Sequence, residues 1–342
     1  MMKISTIRLS VQQRRIPLPA FLQFSVALFL LCVSNQINSS SSFTFDPSGN
    51  MVTNTKKVLV TGASGQTGRL VLKKLEEDSR YEPKALVRTE GSARRLVQSE
   101  INVPLEHMII SDIASPNFEK DLPSGLEGLE AMIVCTSAVP RISQRSLLKA
   151  MMLAPLNLVR RKKPIDFKSL QFKWKHNGYP EIVDYYGQIK QFNLAKKLGV
   201  KHVVLVSSMG VTDRSHFLNN VGKKSDGSGD GDILVWKRKA ERYLVESGLD
   251  YTILHPGGLV DGPGGVQQLE LDVDDNMFAK YPRTCICRED LADLCVSSLE
   301  FGKAKKLSFD CIARNVEEGQ TRRDANMVLQ NFLEEAKTAN YR

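Results

Sequence analysis

The sequence contains few cysteines, and their arrangement suggests neither a disulfide framework nor a metal site. Six of the 342 residues are cysteines. One of them, Cys32, lies in an apolar run near the N-terminus, and the others lie in strand-like or helix-like stretches. Cys285 and Cys287 are separated by one residue, which is the wrong spacing for a zinc knuckle and would place both thiols on one face of a strand. We therefore expect small buried thiols, a reducing compartment and no metal.

The first fifty residues have little acidic character and no convincing membrane span. Asp46 is the only acid there. The apolar run 21–33 is interrupted by polar residues and is shorter than the roughly twenty residues that a span requires. Basic residues precede it and a serine cluster, 39–42, follows it. We interpret residues 1–50 as a cleavable targeting presequence, with a membrane anchor as the alternative. The stretch resembles two-part plastid presequences and so predicts a plastid location, the alternative being the secretory pathway or endoplasmic reticulum.

A glycine-rich turn follows the first strong apolar strand, residues 57–61. Glycines recur at every third position, and a helical pattern begins at once. The first glycine permits a tight turn, the second permits close approach of a ligand and the third permits close packing of helix and strand, while the helix N-terminus presents free N–H groups. The spacing predicts a cradle for a dinucleotide pyrophosphate, formed by Gly62, Ser64, Gly65, Gln66, Thr67 and Gly68.

Two arginines indicate which dinucleotide would be bound. Arg88 ends the second predicted strand, where a site specific for NAD would place an acidic residue on the ribose 2′-hydroxyl. Arg69 follows the third glycine of the turn. Planar guanidinium groups suit a phosphate, so the pair favours NADP(H) over NAD(H) as cofactor. The alternative is that both are ordinary solvated surface charges.

Apolar strands and helical segments alternate through the chain. The predicted strands are nearly continuous apolar runs, which are typical of a parallel sheet covered on both faces. We therefore predict an α/β fold, a doubly wound parallel sheet of the Rossmann type, in a single domain over 51–342. It would carry a basic insertion after strand four (141–179) and a helical C-terminal tail (316–342). The predicted strands are 57–61, 83–88, 107–112, 131–136, 203–208 and 251–255.

The motifs together resemble the atypical short-chain dehydrogenase/reductases of the NAD(P)H-binding, NmrA-like type, in particular small plant and algal plastid members. The resemblance runs from about Lys57 to Ala313 and rests on the stretches 61–68, 136–140, 233–241 and 256–259. It implies that Asp112 touches the adenine, that Thr136, Ser137 and Ala138 line the cofactor, and that Pro256 and Gly257 lie near the nicotinamide. It also identifies Lys237 as the family lysine, which would fix the cofactor ribose.

The chain lacks the tyrosine that the better-known enzymes of this group use as a proton donor. That tyrosine precedes the lysine by four residues, and here the position is Ile233. Losing a positioned general acid costs a factor of roughly 10² to 10⁴ in rate. Ser208, His255 and Lys237 are the candidate catalytic residues, with Tyr185 and Tyr186 as further candidate substitutes. Tyr186 precedes Lys190 by four residues, but this pair comes before the fifth strand and is interpreted as a coincidence.

The insertion concentrates positive charge. Residues 141–175 contain ten basic residues against one acid, Asp166. An anionic small-molecule substrate, an acidic protein or a membrane surface would suit this segment, and a solvated loop without a ligand is the alternative. Nucleic acid is not expected, because few aromatic residues are interleaved with the charges.

Three functions are compatible with this sequence. The first is an NADPH-dependent oxidoreductase that acts on a small carbonyl or quinone-like substrate. The second is a non-catalytic NADP(H)-binding redox sensor or scaffold. The third, an NAD-dependent epimerase or dehydratase, is disfavoured because that chemistry requires the missing phenol.

Overall fold

The computed structural model describes residues 44–45, 51–52, 55–99, 101, 103–118, 120, 122, 125–159, 171–175, 177–224, 226–302, 305–316 and 321–335. The chain divides into two units, residues 1–54 and 55–342. The described part of the first unit is a pair of short antiparallel strands, β1 (Thr44–Phe45) and β2 (Met51–Val52). The rest of the proposed presequence lies outside the described residues.

The second unit is built on an eight-stranded sheet with the order β12-β14-β10-β9-β6-β3-β4-β5. All neighbours in it are parallel except β12, which runs antiparallel to β14. The strands β7 and β8, and likewise β11 and β13, form separate two-stranded sheets. The strands of this unit are β3 (Lys56–Thr61), β4 (Tyr81–Val87), β5 (Met108–Ile110), β6 (Leu129–Val134), β7 (Arg141–Ile142), β8 (Phe172–Lys173), β9 (His202–Val206), β10 (Asp250–Pro256), β11 (Gly258–Val260), β12 (Gln268–Asp272), β13 (Cys285–Cys287) and β14 (Lys306–Arg314).

Helices cover both faces of this sheet. Val58 and Val60 on β3 pack in one apolar core, while Leu59 between them packs in the other, as the alternation of side chains along a strand requires. The helices are α1 (Gln66–Glu76), α2 (Glu90–Gln98), α3 (Gln144–Val159), α4 (Gly187–Lys197), α5 (Ile233–Glu246), α6 (Met277–Lys280), α7 (Arg288–Phe301) and α8 (Ala325–Glu334). A π-helical turn, Glu181–Tyr186, leads into α4, and short 3₁₀ turns occupy Leu105–His107 and Phe217–Asn220.

The predicted doubly wound α/β fold is confirmed. The six predicted strands correspond to β3, β4, β5, β6, β9 and β10. Strand β14 and the antiparallel edge strand β12 were not among the predicted strands. Along β12 the side chains alternate between buried Leu269 and Leu271 and half-buried polar residues, a pattern typical of a strand with one solvated face.

The proposed insertion begins with β7, which pairs with β8, and α3 lies between them. Its basic run 160–170 lies outside the described residues, as do residues 317–320 and 336–342 of the proposed tail. Among the described helices, none combines the length and the apolar character needed to cross a membrane.

The cysteines of the described chain are free thiols. Cys287, Cys295 and Cys311 are buried, as expected, whereas Cys135 and Cys285 are half-buried. Although Cys135 as a whole is half-buried, desolvation of its thiol raises the pKa to about 12, so the thiol is protonated at neutral pH.

Candidate functional site

The glycine turn between β3 and α1 is closely packed. Gly62 has a φ of +66°, and a Cβ atom there would lie 2.9 Å from the carbonyl carbon of Cys135. A Cβ at Gly68 would lie 2.3 Å from the carbonyl oxygen of Gly62. Neither glycine therefore has room for a side chain, and the turn lies directly against the segment that follows β6.

The start of α1 can accept an anion. Its N-cap residue is Gly65, and no side chain caps the helix. Ser64, Gly65, Gln66 and Arg69 are exposed at this end. Uncapped N–H groups in the first turn bind phosphate oxygens, and the absence of a Cβ lets a ligand approach the backbone. The residues that are present therefore fit a dinucleotide pyrophosphate.

Gly68→Ala is expected to disrupt the cradle. The added methyl group would meet three backbone atoms at 2.3–3.0 Å, so α1 must move relative to the turn. Such overpacking costs about 1–3 kcal/mol. We expect a lower melting temperature and at least roughly tenfold weaker NADPH binding by fluorescence titration. Gly91→Ala in α2 is the control, because its nearest neighbours lie 3.9 Å away; equal NADPH affinity of the two variants would contradict the cradle.

The loop after β6 is held by polar side chains from the π-helical turn and α4. Asp184 Oδ2 accepts a hydrogen bond from the Ala138 N–H at 2.9 Å. Gln188 Nε2 donates to the Thr136 carbonyl at 3.2 Å, and Gln191 Nε2 donates to Thr136 Oγ1 at 3.1 Å. Asp184, Gln188 and Gln191 are all buried. They fix the backbone of residues 136–138, the loop predicted to line the cofactor.

Lys237 does not extend freely into the crevice. Its Nζ lies 2.9 Å from Asp184 Oδ1, and both side chains are buried. The lysine on α5 is therefore linked through Asp184 to the Ala138 N–H. The sequence analysis did not identify Asp184; its signal was the spacing 184, 188 and 191, which places three polar residues on one side of a helical segment.

His255 lies between two carboxylates at the end of β10. Its Nε2 is 3.0 Å from Glu241 Oε1, and its Nδ1 is 3.5 Å from Asp310 Oδ1. Burial opposes a charged imidazole, but the adjacent Glu241 and Asp310 outweigh it and raise the pKa of His255 to about 10. The imidazole is therefore a buried cation at neutral pH. His255 was predicted as a candidate catalytic residue, whereas the structure places both ring nitrogens beside buried carboxylates.

The network continues beyond the histidine. Ser207 Oγ donates to Glu241 Oε1, and Arg238 donates to Glu241 Oε2 at 3.3 Å. On the other side, Asp310 Oδ2 accepts from the Asp275 N–H at 2.7 Å. A cavity of about 30 Å³ adjoins His255, Asp310, Asp275, Arg238 and Thr212, which is enough for water.

The remaining predicted residues lie at or just beyond the carboxyl ends of the parallel strands. Ser208 is half-buried after β9 and donates to the Met209 carbonyl at 3.0 Å. Asp112, after β5, accepts from the Ala114 N–H at 3.0 Å. Ser137 Oγ lies 3.5 Å from the Ala138 carbonyl oxygen. Pro256 ends β10, and a Cβ at Gly257 would lie 2.4 Å from the Thr284 carbonyl oxygen.

Tyr185 and Tyr186 belong to an aromatic cluster that also includes Trp236. The Tyr185 ring lies 5.0 Å from that of Tyr186 and 5.7 Å from that of Trp236. Lys239 Nζ lies 3.8 Å from the centroid of the Trp236 ring. Tyr186 is exposed, and Lys190 instead donates to the carbonyls of Ile113 and Ser115 at 3.2 and 2.7 Å. The Tyr186–Lys190 pair therefore does not form the proton-donating arrangement, in agreement with its interpretation as a coincidence.

Arg88, which follows β4, belongs to a group of four cations with Arg95, Arg141 and Lys175. Burial and the nearby guanidinium groups of Arg141, Arg88 and Arg95 lower the pKa of Lys175. The insertion contributes two of the four cations, Arg141 on β7 and Lys175 just after β8, the strand that pairs with β7. Among the described residues, none of these four cations forms an ion pair with an acid. They form a positively charged surface at the position where the sequence predicts a ribose phosphate.

Comparisons with known proteins agree with this geometry. Residues 62–301 match the family described as NAD(P)H-binding. The chain is 39% identical over 272 residues to sanguinarine reductase from Eschscholzia californica, covering 78% of this chain and 92% of that protein. It is 36% identical over 258 residues to an uncharacterised chloroplast protein of Arabidopsis thaliana, covering 75% and 69%. A putative NAD-dependent epimerase/dehydratase from Bacillus halodurans has a similar fold, with a TM-score of 0.54 and 21% identity over 80% of this chain and 99% of that one.

Proposed function

Because the chain belongs to the NAD(P)H-binding family, we propose that it is an NADPH-dependent oxidoreductase that reduces a small carbonyl or quinone-like substrate. The observation that carries the proposal is the glycine cradle packed against the fixed loop 136–138. The similarity to a protein named as a reductase, along most of both chains, supports reduction in particular.

Preference for NADPH is part of this proposal. Arg88, Arg95, Arg141 and Lys175 would bind the 2′-phosphate, with Arg69 near the cradle. Four like charges near one another repel, and this repulsion is relieved when an anion binds. NADH, which lacks the phosphate, would gain nothing from the cluster.

Arg88→Ala is expected to weaken NADPH binding by roughly 10- to 100-fold, the value of one or two charge-assisted hydrogen bonds, and to leave NADH binding unchanged. Titration with both nucleotides measures the ratio of the dissociation constants for NADH and NADPH. Arg94→Ala is the matched control, because Arg94 lies on α2 and its guanidinium is 3.5 Å from Glu90 instead. Equal losses for the two nucleotides in the Arg88 variant would refute a phosphate contact.

In this proposal the nicotinamide supplies the hydride, and the chain orients the reactants. Asp184, Gln188 and Gln191 hold the loop that lines the cofactor, and Lys237 holds Asp184. His255 lies between Glu241 and Asp310, so we assign it a positioning role. It would hold Glu241, which in turn binds Ser207 and belongs to α5. Ser208, or solvent, would deliver the proton to the substrate oxygen.

A redox sensor is the second candidate. It is favoured by Ile233 at the position of the missing tyrosine and by the burial of Lys237 and His255. Titration of the full chain with NADPH and NADH, followed by NADPH oxidation assays with quinones, aldehydes and ketones, separates the two. Turnover supports the reductase; tight binding without turnover supports the sensor; absence of binding refutes both.

A plastid is the proposed location. Chloroplast proteins occur among the relatives, which supports the interpretation of residues 1–50 as a plastid presequence. Imaging tests this proposal. The full chain, fused at its C-terminus to a fluorescent protein, is compared with a chain that lacks residues 1–50.

We also propose that the basic segment 141–175 faces an anionic ligand or surface.

A further inference from the structure

Helix α3 packs with its small side chains towards the protein and its large apolar side chains towards solvent. Ser146, Ala150 and Ala154 occur at every fourth position and are buried or half-buried. On the outer side, Met152 is 74% exposed, Leu148 61% and Met151 57%, with Leu147 beside them. This is the reverse of an ordinary surface helix, in which the apolar stripe faces the core.

The exposed residues form one continuous strip. Leu147 and Met151 are four residues apart, as are Leu148 and Met152, so the two pairs are neighbouring rows on the helix surface. The inner stripe is anchored, because the Gln171 N–H donates to Ser146 Oγ at 3.1 Å and Ala150 is buried. The helix therefore cannot turn its apolar strip inward without breaking these contacts. Contiguous exposed apolar surface of this kind marks an interaction site.

The charges beside this strip indicate what it contacts. Arg145 and Lys149 flank Leu148 and Met152 on one side, and the sequence contains no acid between 141 and 165. Neither of the two pairs with an acid in the part of the chain that the structure describes. A second copy packed face to face with its α3 antiparallel would bring these cations onto the same side as their own equivalents. An anionic partner is therefore favoured over a second copy.

We propose that α3 lies in the headgroup layer of an anionic lipid surface. Leu147, Leu148, Met151 and Met152 would face the acyl chains, while Arg145 and Lys149 would face anionic headgroups. Flexible leucine and methionine side chains beside lysine and arginine suit such a layer, whereas protein hot spots favour tryptophan, tyrosine and arginine. Since α3 follows the crevice loop by only a few residues, docking would bring the crevice close to lipid-dissolved substrates; this last consequence alone rests on the proposed function.

The test is a position-resolved quenching measurement on the full chain. Met152→Trp and Met327→Trp are mixed with vesicles of phosphatidylglycerol and phosphatidylcholine whose acyl chains are brominated, and the signal of the chain's own two tryptophans is subtracted with the parent protein. Met327 is the matched control because it is 52% exposed on α8. We expect strong quenching at 152, little at 327 and little at either position with pure phosphatidylcholine. Equal quenching at both positions would overturn the proposal. The comparison of the two positions also covers the case in which the N-terminal apolar run binds the vesicle, because such binding would not by itself place residue 152 among the acyl chains.

Co-sedimentation with the same vesicles gives a second readout. The double variants Leu148→Ser/Met152→Ser and Arg145→Gln/Lys149→Gln should each bind at least about tenfold more weakly than Met327→Ser. Retained binding in both would overturn the proposal. So would a dimer that the Leu148→Ser/Met152→Ser change dissociates without altering vesicle binding, because the strip would then contact a second copy. NADPH binding is measured in parallel and should not change, which keeps this result separate from the proposed function.

Discussion

Asp184→Ala is expected to lower the free energy of unfolding by about 3–5 kcal/mol, the usual loss when one partner of a buried ion pair is removed. Two groups are left without a partner in this variant. The Lys237 ammonium, 2.9 Å from Asp184 Oδ1, stays buried without a counter-charge, and the Ala138 N–H loses its acceptor. Urea denaturation measures the effect. Glu181→Ala, at an exposed position of the same helical turn, is the control and should change the free energy by less than about 0.5 kcal/mol.

A double-mutant cycle isolates the ion pair from general damage to the fold. Lys237→Met alone leaves the Asp184 carboxylate buried, whereas Asp184→Ala together with Lys237→Met leaves no buried charge. We expect the double variant to be more stable than the sum of the single losses predicts, with a coupling of about 0.5–3 kcal/mol. Additive losses would show that the two groups do not interact. NADPH affinity should fall in both single variants, since Asp184→Ala removes the acceptor of the Ala138 N–H and Lys237→Met removes the ammonium group that holds Asp184 in place.

The fold was predictable because it depends on periodicity within short stretches. Val58, Leu59 and Val60 divide between the two cores as a strand covered on both faces requires. The glycine spacing likewise predicted a tight turn between strand and helix, which the structure contains with Gly62 at positive φ. The edge strand β12 was missed because apolar and polar residues alternate along it, whereas the predicted strands are nearly continuous apolar runs.

The polar networks were not predictable from local pattern, because their partners are distant in sequence. Asp184 and Lys237 meet only when the π-helical turn packs against α5, and His255 meets Asp310 only when β14 pairs with β10. A single acid in a helical pattern most often lies in solvent. The spacing of Asp184 with Gln188 and Gln191 separates it from exposed Glu181, but that spacing alone does not show that the face is buried. The roles of the site residues remain predictions for the same reason, since they depend on where a cofactor lies.

Glu241→Gln should remove most of the charge that keeps His255 protonated. Glu241 is buried, and the nearby imidazolium of His255 holds the pKa of this carboxyl below its usual value despite the burial. Removing the Glu241 charge leaves His255 with one carboxylate partner, Asp310, at 3.5 Å. We expect a loss of about 3–5 kcal/mol in stability near pH 6, as for other broken buried pairs. Glu246→Gln, exposed on the same helix, is the control and should be nearly neutral.

The pH dependence distinguishes this ion pair from a general packing role. The folded-state pKa of His255, about 10, lies above its ordinary value of 6.5, so the stability it contributes is complete below about pH 6.5 and is lost as the pH rises towards 10. The contribution of Glu241 has the opposite sign: it is present above pH 4.5 and is lost as the pH falls through the depressed folded-state value. The difference in free energy of unfolding between wild type and Glu241→Gln should therefore be largest between about pH 5 and 6.5 and should shrink towards pH 10.

Imidazole NMR measures the charge of His255 directly. His255 should remain charged at pH 8 in the wild type. His202 should be neutral at the same pH, because burial lowers its pKa to about 4. A neutral His255 at pH 8 would contradict the ion pair, and a stability difference that does not change between pH 6 and 10 would assign Glu241 a packing role.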